Sequence, residues 1–238
     1  MRGDFLAGSI TRHLRTAGVA LALSVLAACA PQDTRPKDTR PDGTKLVLAG
    51  SIQSIEERDQ QRVTDLEIRR DWDGLAKLAE ENIPRNQHKA DWWLVAGYAY
   101  SQSGRHAQAV ERLAERVRLA PDEMLGWRLL AQSYRDSGQA QRAVQTLNNA
   151  HLVRSGTLET WYLLGESYTD LNRYLPAAAA YREATQLDRG FAPAWFGLGR
   201  AYSRLGRRTE YAQALKTLEQ LNPALAKELA EMRPGPRN

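Results

Sequence analysis

The chain has a single cysteine, Cys29, so no disulfide can form within a monomer. It also lacks a long apolar run. The uncharged stretch from Ala17 to Ala28 is 12 residues, well short of the roughly 20 that a spanning helix needs, which argues against a transmembrane anchor. Histidine is scarce: His88, His106 and His151 have no second ligand at metal spacing, and His13 lies in the leader. No G-x-S-x-G, H-E-x-x-H or phosphate loop is present. Gly197-Leu198-Gly199 has neither the third glycine nor the preceding strand of a dinucleotide fingerprint. Charge is not massed either. Once residues 1–28 are set aside, 30 basic and 27 acidic side chains remain, without the basic stripe that nucleic-acid binding requires. These absences argue against an enzyme, a metal or cofactor site, and a nucleic-acid partner.

What the chain has is a period. Trp93, Trp127, Trp161 and Trp195 stand 34 residues apart, and Tyr100, Tyr134, Tyr168 and Tyr202 repeat the same step seven residues later. Rings at i and i+7 share one face of an α-helix. A small residue sits between them each time: Gly97, Ala131, Gly165 and Gly199. Glycine inside a helix costs roughly 0.5–1 kcal/mol relative to alanine, so its recurrence implies a close approach there. Gly104, Gly138, Asn172 and Gly206 follow at the turn, all tolerant of a left-handed backbone. Ala109, Ala143 and Ala177 come five residues later, small where a second helix crosses the first. Tyr211 breaks that series and suggests looser or altered packing near the end of the last unit. Pro121 and Pro223 are expected to end the first and fourth second-helices.

Trp161 to Tyr168 and Trp195 to Tyr202 both read W-x2-L-G-x2-Y, and the chain resembles the tetratricopeptide repeat (TPR) family over residues 90–223. The resemblance implies an all-α fold, a right-handed α-solenoid, with repeats at 90–123, 124–157, 158–191 and 192–223. A degenerate repeat is expected over 52–89, with helices at about 54–69 and after Asp71-Trp72-Asp73-Gly74. A capping helix with Leu225, Leu229 and Met232 is expected over 224–232, and residues 233–238 read as a disordered tail. It further implies a concave groove lined by the first helix of each repeat. Carried onto this sequence, the partner-binding candidates are Leu94, Tyr98, Arg128, Gln132, Arg135, Tyr162, Glu166, Phe196, Arg200 and Arg204. Tyr98, Tyr162 and Phe196 are aromatic where the repeat pattern does not ask for it. Aromatics with arginines are enriched at binding hot spots. Arg128 and Arg135 also suit pairing with Glu166 and Asp170 across neighbouring repeats. The clamp that some TPR domains use for a chaperone's terminal carboxylate is absent, since Glu159 stands where a cation is required.

The leader has a different character. Arg2, Arg12 and Arg15 precede the apolar run, which ends in Leu26-Ala27-Ala28-Cys29. This is the layout of a signal peptide over 1–28, and its end resembles the bacterial lipobox, in which the cysteine becomes the acylated N-terminus. An ordinary cut after Ala30 is the rival, disfavoured by Pro31. Ala30, rather than Asp, follows the cysteine and by resemblance points to the outer membrane, facing the periplasm. Residues 29–51 carry the repeated Asp-Thr-Arg-Pro of 33–36 and 38–41 and read as an extended spacer. The expectation is a periplasmic TPR scaffold that binds protein partners in an envelope assembly, such as pilus or secretion machinery. A peptidoglycan-binding module and an adaptor for peptidoglycan hydrolases are the alternatives.

Overall fold

The computed structural model describes residues 46–232 and Pro234. The signal segment 1–28, Cys29, the spacer as far as Lys45 and the remainder of the tail lie outside these. All described residues belong to one unit, Lys37–Asn238. They are helical, with no strand among them. A first pair, α1 (Glu57–Arg69) and α2 (Trp72–Asn82), ends in a 3-10 turn at Ile83–Arg85. Four pairs follow: α3 (Ala90–Gln102) with α4 (His106–Leu119), then α5 (Met124–Asp136) with α6 (Ala140–Val153). The last two are α7 (Leu158–Asp170) with α8 (Tyr174–Leu187), and α9 (Ala192–Arg204) with α10 (Arg208–Leu221). A short α11 (Pro223–Glu231) closes the stack.

The turn within each pair is left-handed where the sequence allows it: φ is 75° at Gly104 and Gly138, 56° at Asn172 and 66° at Gly206. Arg70 also has φ 56°, 34 residues before Gly104. The pair α1–α2 is therefore a fifth unit in phase with the others. Its register is hidden in the sequence because Asp59 and Leu66 stand where Trp and Tyr would fall. The first of these helices starts at Glu57 rather than 54, since the Ser54 N–H donates to Asp91 Oδ2 at 2.7 Å instead of joining a helix.

The first helices α3, α5, α7 and α9 each touch the next first helix, whereas the second helices make their substantial contacts only with elements adjacent in the chain. The first helices therefore form the tighter, inner layer. The glycines between the rings admit a side chain from a neighbouring helix, the second helix of the pair at Gly97 and Gly165 and α11 at Gly199. A Cβ on Gly97 would strike Leu113, one on Gly165 would meet the Tyr181 ring at 2.6 Å, and one on Gly199 would strike Leu229 of α11.

The tryptophan ladder is only half-buried. Its rings lie at the seams between repeats, and an indole N–H at an edge needs an acceptor. Trp93, Trp127 and Trp195 each donate to the carbonyl six residues upstream, at 3.0, 2.7 and 2.8 Å. Trp161 differs: the His151 ring lies against it, with centroids 4.1 Å apart. His151 Nε2 is also 3.0 Å from Thr160 Oγ1, and Thr160 belongs to the capping box of α7.

Both ends are closed. At Tyr211 the packing is altered rather than loosened: the side chain is buried, and its hydroxyl donates to the Leu229 carbonyl at 2.7 Å, fastening α11. Pro223 is the first residue of α11, whose N-terminus is capped by the Asn222 side chain accepting from the Leu225 N–H at 3.1 Å. At the other end, residues assigned from sequence to the spacer are packed from Leu46 onward. Leu46 and Leu48 of that spacer are buried, and so are Ile52 and Ile55 at the start of the degenerate repeat. Buried Glu67 accepts the N–H groups of Val47 (2.7 Å) and Leu48 (3.2 Å).

Candidate binding groove

Three columns of the inner layer recur at 34-residue steps: Leu94, Arg128, Tyr162, Phe196; then Tyr98, Gln132, Glu166, Arg200; then Gln102, Asp136, Asp170, Arg204. Helical geometry puts the members of a column on equivalent faces of α3, α5, α7 and α9.

The first repeat departs from the expectation. Leu94 and Tyr98, assigned from sequence to the groove, are 0% and 2% exposed. Tyr98 packs edge-on against Trp72 of α2, with centroids 5.8 Å apart. They belong to the same core cluster as Leu48, Ile52 and Ile55, so both side chains are structural. The repeat pattern identifies the helix face but does not reveal that the chain's own N-terminal unit covers it. The groove that remains open runs over α5, α7 and α9.

Its centre is an ion-pair relay. Arg135 reaches Glu166 at 3.1 Å and Asp170 at 2.5 Å, while Arg200 reaches Glu166 from the other side at 3.0 Å. Tyr181, fully buried on α8, sends its hydroxyl between α7 and α9 to donate to Glu166. Two glycines make this passage possible: a Cβ on Gly165 or Gly197 would meet the Tyr181 ring at 2.6 or 2.5 Å. Burial first, and then the Glu166 charge, hold the Tyr181 phenol far above its ordinary pKa, so it is a proton donor at every physiological pH. Burial alone would lower the pKa of Arg135; Asp170 and Glu166 reverse the sign. The pairing of Arg135 with Glu166 and Asp170 is thus internal to the groove floor.

Arg128 does not join this relay. It is half-buried, burial lowers its pKa, and Glu159 and Tyr98 only partly offset that. No ion pair or hydrogen bond to Arg128 occurs among the described residues. Gln132 donates to Asp136 at 2.7 Å. Tyr162 stands edge-on to Phe191 (5.3 Å) and near Tyr181 (5.9 Å), and Phe196 lies 5.9 Å beneath the Arg200 guanidinium carbon. Arg204 is exposed. Phe191, one residue ahead of α9, and Tyr181 on a second helix were not anticipated. The only sequence cue to Tyr181 is a tyrosine set in a run of alanines at 177–180.

Among the described residues no group of three His, Cys, Asp or Glu side chains is placed to hold a metal, and no helix is long and apolar enough to cross a membrane.

The layered helical pairs define an α-solenoid of helix–turn–helix repeats, and family models agree on the class. Residues 192–225 match the tetratricopeptide repeat model, and residues 113–184 match that of the anaphase-promoting complex, cyclosome, subunit 3. Among solved structures, MamA is similar with TM-score 0.63 and 22% identity, covering 73% of this chain and 98% of MamA. YrrB, described as a TPR protein with an unusual peptide-binding site, gives TM-score 0.61 at 16% identity, over 71% of this chain and 88% of YrrB. The thermophilic TPR protein TTC0263 of Thermus thermophilus gives 0.54 at 18% identity, over 72% and 95%. At these identities the likeness establishes the fold. No curated protein matches the sequence.

Proposed function

We propose that this chain is a periplasmic scaffold, held to the outer membrane by a lipid on Cys29, that captures a protein partner in the groove over α5, α7 and α9. The observation that carries the binding role is the open row of Arg128, Tyr162 and Phe196, with Phe191 beside it, on a floor already fixed by the Arg135–Glu166–Arg200 relay. A pre-formed floor lowers the ordering cost of association. The peptide-binding site for which YrrB is described supports such a use of the fold. Pilus, secretion or cell-wall assemblies are the envelope settings this reading favours. A glycan-binding module is less well supported, because one of its three stacking aromatics, Tyr98, is sealed in the core.

The anchor rests on Leu26-Ala27-Ala28-Cys29. Both halves are tested in one strain set. Labelled palmitate is expected to enter the wild-type protein and not Cys29→Ser, which should leave the membrane fraction. A photo-crosslinking residue at Phe196 is expected to give a protein adduct that the same residue at exposed Arg182, on α8, does not. Label in Cys29→Ser sinks the anchor; identical adducts from both positions sink the groove.

A further inference from the structure

Among the groove arginines, Arg135 has two carboxylates and Arg200 has one. Arg128, one repeat before Tyr162, has none, and its acidic neighbour Glu159 acts on it only at longer range. A guanidinium cannot shed its proton, so a half-buried one without a hydrogen-bond acceptor keeps a charge that Glu159 offsets only in part. A second unmet donor lies along the same floor: Arg200 Nε is buried without an acceptor. On the inner helices that follow α5, Tyr162 packs against Phe191, and Phe196 lies under Arg200.

We infer that, within the groove reading above on which this rests, the partner is an extended peptide segment that places one acidic side chain on Arg128 and an apolar side chain beside Phe191 and Phe196. Charge complementarity selects the carboxylate. A nucleic-acid strand fits less well, because Glu166 and Asp170 line the floor and oppose a repeating anion, whereas an isolated acid two helices away from Arg200 meets Arg128 directly and Glu159 only at longer range. The groove spans three helices rather than forming a closed pocket, which suits a segment of chain more than a small carboxylic acid. An Arg–carboxylate contact of this kind is bidentate and charge-assisted.

The test is selection of random dodecapeptides on the full-length chain in mild detergent, compared with Arg128→Gln, Arg128→Glu and Phe196→Ala, each checked for helicity. Wild type is expected to enrich Asp or Glu next to an apolar residue. Arg128→Gln should lose the acidic preference, and Arg128→Glu should turn it towards Lys or Arg. By anisotropy, replacing the acid of the best peptide with its amide should weaken binding roughly 30-fold or more, with no further loss on Arg128→Gln. Peptides without acidic preference, or unchanged selection on Arg128→Glu, overturn the inference. If those peptides still depend on Phe196, the groove reading survives; if they do not, both fall. Failure to select any peptide, with no self-association, overturns both. Tighter binding of a twelve-nucleotide single strand would put nucleic acid in place of the peptide. Self-association abolished by Arg128→Glu, without peptide binding, would put a second copy there. Either result overturns the peptide assignment.

Discussion

Leu94 and Tyr98 occupy the same repeat positions as Phe196 and Arg200, yet the first two are sealed and the last two border the groove. The covering material at the N-terminal end is the chain itself. Residues 46–55 are drawn in by four buried aliphatic side chains and by two carboxylates, Glu67 and Asp91, that accept backbone N–H groups. Over α7 and α9 nothing equivalent is laid down among the described residues, and Arg135 and Arg200 are paired within the floor through Glu166. A repeat thus fixes which face a residue occupies, while a non-repeating segment decides whether that face is available. One end of the inner layer has been used for stability, the other kept for contact.

The largest expected effect sets the two ends directly against each other. Tyr98→Ala should cost about 3–5 kcal/mol, the range for emptying a large aromatic site, and Phe196→Ala less than half as much. Urea denaturation of the pair measures this, and equal losses would dissolve the distinction. Next comes the N-terminal clasp. Glu67→Ala leaves two N–H groups, of Val47 and Leu48, without their acceptor, at a cost of about 1–3 kcal/mol. Hydrogen exchange at those two amides should accelerate while the α7 and α9 amides keep their protection. Uniform acceleration would mean that the clasp supports the whole stack.

The smallest effect concerns the seam between α6 and α7. Burial lowers the His151 pKa below its ordinary value near 6.5. The unfolded chain therefore takes up the proton first. Stability is intact above that ordinary value and declines as pH falls from about 6.5 towards the folded-state pKa, below which the loss levels off. Melting followed from pH 7.5 to 5 should show a decline in wild type that is reduced in His151→Gln. Parallel curves would remove His151 from the seam.

The repeat frame was legible from the sequence because it rests on large periodic signals: the Trp and Tyr ladders, the small residue between them and the left-handed turn. Arg70 shows where legibility ends. A non-glycine residue at φ 56° marks a turn that no propensity rule would assign to arginine. The groove was half legible. Arg135 with Glu166 and Asp170 followed from spacing, but the burial of Tyr98 did not, because it depends on Trp72 of α2 and on a core cluster that draws in Leu48, Ile52 and Ile55 from outside the repeat pattern. Tyr181 escaped for a related reason: it lies on a second helix and reaches the inner face only through two glycines of different repeats.

That passage has a consequence for how such a gene can change. Tyr181 needs Gly165 from its own repeat and Gly197 from the next, so three codons on both sides of a repeat boundary are bound to one another. Inserting or deleting a 34-residue unit at the boundary between repeats 158–191 and 192–223 would separate Tyr181 from its opening. Repeat 2 could not replace repeat 3 without loss, since Leu147 and Ala131 stand at the corresponding positions. The array looks modular in its ladder, but its last two repeats are written in a fixed order by this interlock.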